Sequence, residues 1–200
     1  MSAHESPRSH RRARDHAANR AAILAAARRV AEREGARDLS LRGVAAEAGY
    51  SAPALYGYFR DKDELLLALA ADDLGQLSKA MREAGGAPQA GSRLMAALTA
   101  ALTQLQNSET IAAAQGALPS EPSASEAERH FNGRLIAALT ALSDAAGLKV
   151  QSRESQADVV LMAASLAGVA LLARSGRLAA LGFNGEEILR RLDARFNPAP

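Results

Sequence analysis

Hydrophobic positions recur at helical spacing along nearly the whole chain. Apolar residues stand three or four positions apart in successive segments, and no segment shows the period-two alternation of a β-strand. Clusters of glycine, proline and serine separate these segments, as loops between helices do. The predicted helices span residues 17–34, 41–48, 52–59, 62–81, 92–107, 108–118, 124–146, 153–174 and 185–196. The pattern therefore predicts an all-α protein.

Two short helices joined by a tight turn are predicted between residues 40 and 62. Ser40 and Ser51 stand where helix N-caps belong, and a serine hydroxyl there accepts a hydrogen bond from an unpaired backbone N–H. Gly49 can take the left-handed conformation that ends the first helix. Pro53 fits the first turn of the second helix, where proline loses no hydrogen bond. A helix, a glycine turn and a short second helix indicate a helix-turn-helix.

The aromatic residues are concentrated in the same stretch. All three tyrosines of the chain, Tyr50, Tyr56 and Tyr58, lie there. A tyrosine offers a flat apolar ring and a hydroxyl that can reach a phosphate oxygen. Leu55 and Phe59 are four residues apart, so both point inward, whereas Tyr58 lies on the outer side of the helix. The alternative is that the rings fill a small core, which fits Phe59 best.

Charge is distributed unevenly over a chain whose formal net charge is +2. Residues 1–62 carry 12 Lys and Arg against 7 Asp and Glu, whereas residues 63–200 carry 12 against 15. A basic N-terminal third on a mildly acidic body indicates a polyanionic partner for the first part alone.

Arginines dominate the first 16 residues, at positions Arg8, Arg11, Arg12 and Arg14. Because serine and proline interrupt this polar segment, it is predicted to be a disordered basic arm over residues 1–16. Such an arm is either a solvated tail without a role or a segment that lies in the DNA minor groove, as arginine arms do.

The run GYSAPALYGYFRDKDELL resembles the DNA-binding signature of the tetracycline-repressor (TetR) family of bacterial transcription regulators. The matching positions are Ala48, Gly49, Tyr50, Ser51, Leu55, Tyr56, Tyr58, Phe59, Lys62 and Leu65. So many fixed positions at fixed spacing make the signal specific, although it covers only about the first third of the chain. Ala54 and Gly57 depart from the signature, and their small size predicts that this helix reads few bases directly.

The resemblance implies a three-helix DNA-binding domain over residues 17–62, from which helix four leads into a larger helical ligand-binding and dimerisation domain over residues 63–200. The implied partners are a palindromic double-stranded DNA operator, a small-molecule inducer and a second copy of the chain. The residues expected at the DNA are Ser40, Arg42, Ser51, Ala52, Pro53, Ala54, Tyr56, Gly57, Tyr58 and Lys62.

The position of Lys62 is a second, independent indication that an anion binds here. Asp61 is predicted to cap helix four, with Glu64 three residues later at capping-box spacing. Lys62 then lies in the first turn, where a cation opposes the helix dipole. That unfavourable placement indicates an external anion, and the family uses this lysine on a DNA phosphate.

The last two long helices each carry an apolar face. The resemblance implies that these helices form a four-helix dimer interface, whereas the alternative is that both faces pack on the chain's own core. Ala164 and Gly168 are four residues apart and would let another helix approach closely. The residues predicted at the interface are Val160, Ala164, Gly168, Leu171, Leu189, Leu192 and Phe196.

A central cavity for the inducer is expected among inward-facing apolar side chains. Few charges stand at these positions, which predicts a neutral or lipophilic ligand with Gln104 or His130 as a polar handle. Plain core is the alternative for every member. The predicted lining is Leu98, Leu102, Phe131, Leu135, Leu139 and Met162.

Several chemistries find no support in the sequence. The absence of cysteine excludes disulfides and thiol nucleophiles, and no phosphate-binding glycine motif or nucleophile with its base is present. Glu126 and His130 are four residues apart, but no third metal ligand is evident. No cofactor or metal is therefore expected. The longest uncharged apolar run, residues 159–173, is shorter than the roughly 20 residues of a membrane span, so a cytoplasmic protein is predicted.

Three functional hypotheses remain open. The first is a transcription regulator, a repressor, that a small lipophilic ligand releases from its operator. The second is a DNA-binding regulator without a ligand, since an alanine-rich bundle can pack solid. The third is a helical enzyme or carrier with an accessory three-helix domain, which the tyrosine, lysine and charge pattern of residues 40–62 disfavours.

Overall fold

The computed structural model describes residues 7–86, 92–114, 116–118 and 125–197. Within these residues the chain forms ten α-helices and no strand, which confirms the predicted all-α class. The helices are α1 (Pro7–Glu34), α2 (Leu41–Ala48), α3 (Ala52–Leu55), α4 (Lys62–Gly86), α5 (Arg93–Asn107), α6 (Thr110–Ala114), α7 (Glu126–Ala145), α8 (Arg153–Arg174), α9 (Arg177–Ala180) and α10 (Gly185–Phe196).

The first helix begins ten residues earlier than the sequence predicted, at Pro7 instead of Ala17. This corrects the expected disordered arm for residues 7–16, while residues 1–6 lie outside the described part of the chain. Pro7 loses no hydrogen bond at a helix start, and residues 8–16 contain no further proline and no glycine. Arginine, which recurs there, is a good helix former, so the helix continues through the segment.

Helices α1 to α3 and the start of α4 surround a first hydrophobic core, and we call this part the module. The predicted caps are confirmed: the Ser40 hydroxyl accepts from the Gly43 N–H at 3.1 Å and the Ser51 hydroxyl from the Ala54 N–H at 3.3 Å. Gly49 ends α2 with a φ of +73°, which only glycine adopts readily. The fully buried side chains of this core include Ile23, Val30, Leu39, Val44, Leu55, Phe59, Leu65 and Leu69.

Helix α4 links this module to the rest of the chain, which we call the body. Its start is capped as predicted, since the Glu64 N–H donates to Asp61 Oδ1 at 2.8 Å. Glu64 accepts in turn from the Arg60 N–H at 2.9 Å, one residue before the N-cap. Leu69 is the last α4 residue of the first core, and Leu74 belongs to the second. One continuous helix therefore contributes to both cores.

The body packs α4, α5, α7 and α8 around the second core, and α10 closes it beside α5 and α8. Side chains that are almost fully buried come from every one of these helices. They include Leu94, Leu98, Phe131, Met162 and Leu189.

Helix α8 keeps one apolar side outside this core. It is the helix of the described chain that is long and apolar enough to cross a membrane by length and composition, and 28% of its most apolar window is buried. Met162 and Leu166 face the body core, whereas Val160, Leu161 and Leu171 are 58%, 54% and 64% exposed. An outward apolar side on a helix that is packed on its other side indicates a partner surface rather than a lipid-surrounded span.

Candidate nucleic-acid interface

The ten residues predicted at the DNA lie around the helix-turn-helix, above the buried Leu55 and Phe59. Helices α2 and α3 pack on each other. Ala52, Tyr58 and Lys62 are half-buried. The other seven are exposed, namely Ser40, Arg42, Ser51, Pro53, Ala54, Tyr56 and Gly57.

Helix α3 presents small side chains and almost no hydrogen-bonding group of its own. A Cβ at Gly57 would lie 3.2 Å from the Ala54 carbonyl oxygen, so the turn after α3 is tight for any larger residue. Tyr56 is 58% exposed and offers its hydroxyl to the surroundings. Arg42, in the first turn of the adjacent helix α2, is an exposed guanidinium.

Tyr58 is held in place by α1. Its hydroxyl accepts from Asn19 Nδ2 at 3.1 Å, and the His16 ring stacks on it with centroids 4.7 Å apart. The Tyr50 ring meets it edge-on at 6.2 Å. Sequence reasoning missed His16 and Asn19, although both precede the buried Ile23 at helical spacing on the same face of α1.

Lys62 has a partner within the module. Its side chain is half-buried, and Nζ donates to the backbone carbonyl of Arg37 in the loop between α1 and α2. The cation that the sequence placed against the helix dipole is thus stabilised locally by a carbonyl oxygen. This bond also fixes the α1–α2 loop against the start of α4.

Two arginines of α1 are used inside the module. Glu47 on α2 accepts from Arg29 Nε at 2.8 Å and from Arg33 Nη1 at 3.2 Å. The hydrogen bond from Arg29, followed by the one from Arg33, holds the pKa of Glu47 below its ordinary value. Such exposed pairs contribute little to stability, but they fix α2 against α1.

The predicted ligand residues fall mostly in the body core. Leu98 and Met162 have no exposed surface, and Leu102 and Phe131 are 8% and 4% exposed in the same cluster. A Cβ at Gly185 would lie 2.8 Å from Leu102 Cδ2, so the start of α10 is packed closely on α5. These four residues are part of the body core in this structure, and a role at a ligand stays a prediction for them.

The remaining ligand candidates lie elsewhere. Leu135 is 38% exposed and so does not face the body core, while Leu139 is half-buried. Of the two polar handles, Gln104 is half-buried and His130 is exposed. Glu126 is exposed as well, and the described residues contain no group of three His, Cys, Asp or Glu that could hold a metal ion.

Leu139 lines a pocket of about 380 Å³ between α7, the following loop and the start of α8. Its walls are mainly apolar, and Thr140, Ser143, Asp144 and Gln156 are the polar residues among its lining. Sequence reasoning missed this pocket because its walls are brought together only by the packing of α7 on α8. The apolar lining residues are Ile136, Leu139, Leu148, Val150, Val159 and Val160.

The predicted dimer residues divide between the two helices. On α8, Val160, Ala164 and Leu171 are exposed and Gly168 is half-buried. On α10, Leu189 is 1% exposed, and Leu192 and Phe196 pack half-buried against the same core.

Within one chain the apolar side of α10 packs on the chain's own core, so the α10 part of the interface stays a prediction. The outer face of this helix carries charge, so its one apolar stripe has to pack on the chain's own core. The exposed charged residues of α10 are Glu186, Glu187, Arg190, Arg191 and Arg195.

Comparison with known families identifies the N-terminal part of the chain. Residues 23–69 match the model of the bacterial regulatory proteins, tetR family. This range holds the first core and the helix-turn-helix, and it ends at the last α4 residue that belongs to that core. A comparison with curated proteins found no match.

Solved structures share the architecture of about nine-tenths of the chain. A TetR transcriptional regulator from Rhodococcus sp. RHA1 superposes with a TM-score of 0.67 at 19% identity, covering 92% of this chain and 98% of its own. A protein of unknown function from the same organism has a TM-score of 0.67 at 26% identity, covering 89% and 93%. The transcriptional regulator FadR from Bacillus subtilis, solved with stearoyl-CoA, has a TM-score of 0.59 at 16% identity, covering 90% and 98%.

Proposed function

This chain is a member of the TetR family of bacterial regulatory proteins, and we propose that it represses transcription as a homodimer on a near-palindromic operator. Membership of the family supports a DNA-binding transcription regulator. Members of the family are generally transcription factors without catalytic activity, and its homologues are soluble, which supports a cytoplasmic role for this chain.

One observation carries the DNA-binding role: seven of the ten predicted contact residues are exposed around a capped helix-turn-helix whose apolar side is fully buried. Tyr56 and Tyr58 hydroxyls and Lys62 suit phosphate oxygens, and phosphate contacts fix the register of a protein on DNA. Arg42 suits a bidentate contact with guanine, which specifies sequence. We propose that Arg42 contacts a base, and that the small residues of α3 let this helix approach the DNA closely.

The dimer is proposed to form through the outward side of α8. Val160, Ala164 and Leu171 give that side apolar and small residues in one row at a spacing of three to four. Gly168 in the same row lets a second helix come close. A two-fold axis across α8 would pair the same patch on both subunits, and such protein symmetry selects palindromic DNA.

We also propose that an apolar small molecule binds this regulator as its effector. The pocket beside Leu139 has mainly apolar walls and about 380 Å³ of space, within the range of small-molecule sites. The B. subtilis FadR, a protein of the same fold, binds stearoyl-CoA. We propose an apolar or acyl-containing compound for this pocket, instead of the central cavity that the sequence suggested.

A regulator without a ligand is the second candidate. It is favoured by the close packing of Leu98, Leu102, Phe131 and Met162, which leaves those residues as core. Thermal unfolding in the presence of acyl-CoA compounds of increasing chain length separates the two. A ligand that binds the folded state raises the melting temperature, and a flat response over all chain lengths supports the candidate without a ligand.

The experiment that tests the main proposal is footprinting of the wild-type protein on bacterial genomic DNA. We expect protected sites to be near-palindromic, with half-sites centred about one helical turn, roughly 34–36 Å, or a multiple apart. The matched negative control is Ala54→Asp, which places a carboxylate on the exposed side of α3 against the phosphates. Protection without two-fold symmetry, or protection retained by Ala54→Asp, would contradict the proposal.

A further inference from the structure

A carboxylate is buried where α4 passes from the first core into the second. Asp73 is 7% exposed, and it lies between Leu69, the last α4 residue of the first core, and Leu74 and Leu77 of the second. A buried carboxylate is stable only when it is paired and hydrogen-bonded. The position of Asp73 therefore depends on the groups that surround it.

Its partners come from both sides of the junction. Arg28 of α1, in the module, forms an ion pair with Asp73 Oδ1. Ser108 at the end of α5 donates to Oδ2 at 2.6 Å, and Thr110 at the start of α6 donates to the same oxygen. A single carboxylate on α4 thus connects the module to the α5–α6 junction of the body.

The polar contacts continue from this junction to α8. Arg174, the last residue of α8, donates from Nη1 to the Ser108 carbonyl at 2.9 Å and from Nη2 to Glu109 at 3.1 Å. Leu171, on the outward apolar side of α8, lies one turn before it. The chain of contacts therefore runs from the module to the helix at which the proposed dimer forms.

We propose that Asp73 is a positioning residue that fixes the orientation of the module on the body and thereby sets the half-site spacing that the dimer reads. This rests on the proposed function. A dimer reads two half-sites at the separation and rotation that its two modules present. Arg28 holds α1 to the side of α4, so the module is restrained against rotation about that helix.

Apolar contacts between module and body are less directional. Ala113 and Ala117, in and after α6, pack against the first core, but apolar packing tolerates small rotations. Hydrogen bonds to a carboxylate weaken steeply when their angle changes. The Asp73 contacts therefore restrain the angle between the two parts more than this apolar packing does.

A purely stabilising role for Asp73 makes a different prediction. Removal of a partner would lower the melting temperature and the folded fraction, and would weaken binding to every duplex by the same factor. Spacing preference, measured as the ratio of two affinities of the same protein, would not change. The ratio is therefore the quantity that distinguishes positioning from stability.

The probe is a duplex that the wild-type chain selects from a random DNA pool, with variants whose central spacer is two base pairs longer or shorter. Two base pairs rotate one half-site against the other by about 70°, since a turn of B-DNA is about 10.5 base pairs. The test variants are Arg28→Gln and Thr110→Val. The controls are Thr110→Ser, which keeps the hydroxyl, and Arg29→Gln, whose partner Glu47 lies inside the module.

We expect the wild-type chain to lose affinity steeply on the altered spacers, and Arg28→Gln and Thr110→Val to reduce that loss by about tenfold, a usual size for coupling between sites. Thr110→Ser and Arg29→Gln should keep the wild-type ratio. Circular dichroism identifies the variants that are folded. Thr110→Val removes only one of the three partners of Asp73, so this variant still provides the test if Arg28→Gln unfolds. Wild-type ratios in the folded test variants would overturn the inference alone, whereas a wild-type chain that selects no duplex overturns the proposed function.

Discussion

Lys62 donates to the Arg37 carbonyl, so its ammonium group has a partner inside the module before any DNA arrives. Two consequences of substituting it therefore have to be separated. One is the removal of a positive charge next to the phosphates, and the other is the release of the α1–α2 loop. A neutral side chain that still donates a hydrogen bond removes the charge and leaves the loop largely fixed.

We predict that Lys62→Ala and Lys62→Gln both weaken binding to specific and random duplexes alike. Each should lower the slope of log affinity against log salt by about one for every phosphate that the lysine no longer neutralises, because one counterion fewer is released. Fluorescence anisotropy titrations between about 50 and 200 mM salt measure this slope. If Lys62→Gln binds like the wild type and only Lys62→Ala is weak, the loop contact and not the charge is what matters.

At the scale of the element, α1 differs most from what the sequence suggested. Its first turns are helical, and His16 stacks on Tyr58 at the predicted DNA surface. Arg12 lies one turn before His16 and so shares its face, whereas Arg14, two residues before His16, lies on the opposite side of the helix. Arg12 is exposed, as is Arg14. In a helix these two arginines therefore point in different directions, whereas in a disordered arm they would be equivalent.

We predict that Arg12→Gln weakens DNA binding and lowers the salt slope by about one, while Arg14→Gln changes both much less. The two variants are matched in charge and lie on the same helix, so their orientation is what differs. Binding titrations at two salt concentrations provide the comparison. Equal effects would indicate that residues 7–16 unwind on the DNA, and no effect in either would make the extension irrelevant to binding.

At the scale of the whole molecule, the outward side of α8 decides the assembly. Its exposed apolar residues would be covered by the same residues of a second subunit, and a charge at the centre of that contact would be buried without a partner. Removing a charge from water in this way costs several kcal/mol unless it is paired. Ala164 is exposed and lies centrally on this side, between Val160 and Leu171.

We predict that Ala164→Glu gives a folded monomer that binds operator DNA poorly, because each module alone holds one half-site. Ala25→Glu is the matched control, since Ala25 is also an exposed helical alanine, on α1 and away from α8. Sedimentation velocity at micromolar concentration measures the oligomeric state. A wild-type monomer, or an Ala164→Glu variant that remains dimeric, would contradict the assignment of α8 to the interface.

The sequence by itself determined the parts of this protein that depend on near neighbours in the chain. Ser40, Ser51 and Asp61 cap their helices as predicted, and Gly49 takes its left-handed conformation, because a cap involves residues only two or three positions away. Helical spacing likewise predicted α8 and α10 over the ranges observed. The signature in residues 48–65 identified the family for the same reason, since its positions belong to one local motif.

Tertiary structure alone decided which apolar face meets which neighbour. Leu189 and Val160 look alike in the sequence, yet the first is buried in its own core and the second is 58% exposed. Leu98 has no exposed surface in the body core, where α5 packs with α4, α7 and α8. Asp73 stands four residues after Leu69, so its spacing already places it on the buried side of α4. Its partners, however, are 35 to 45 residues away in the chain. Contacts at such separations follow from the packing of whole helices, which local spacing does not encode.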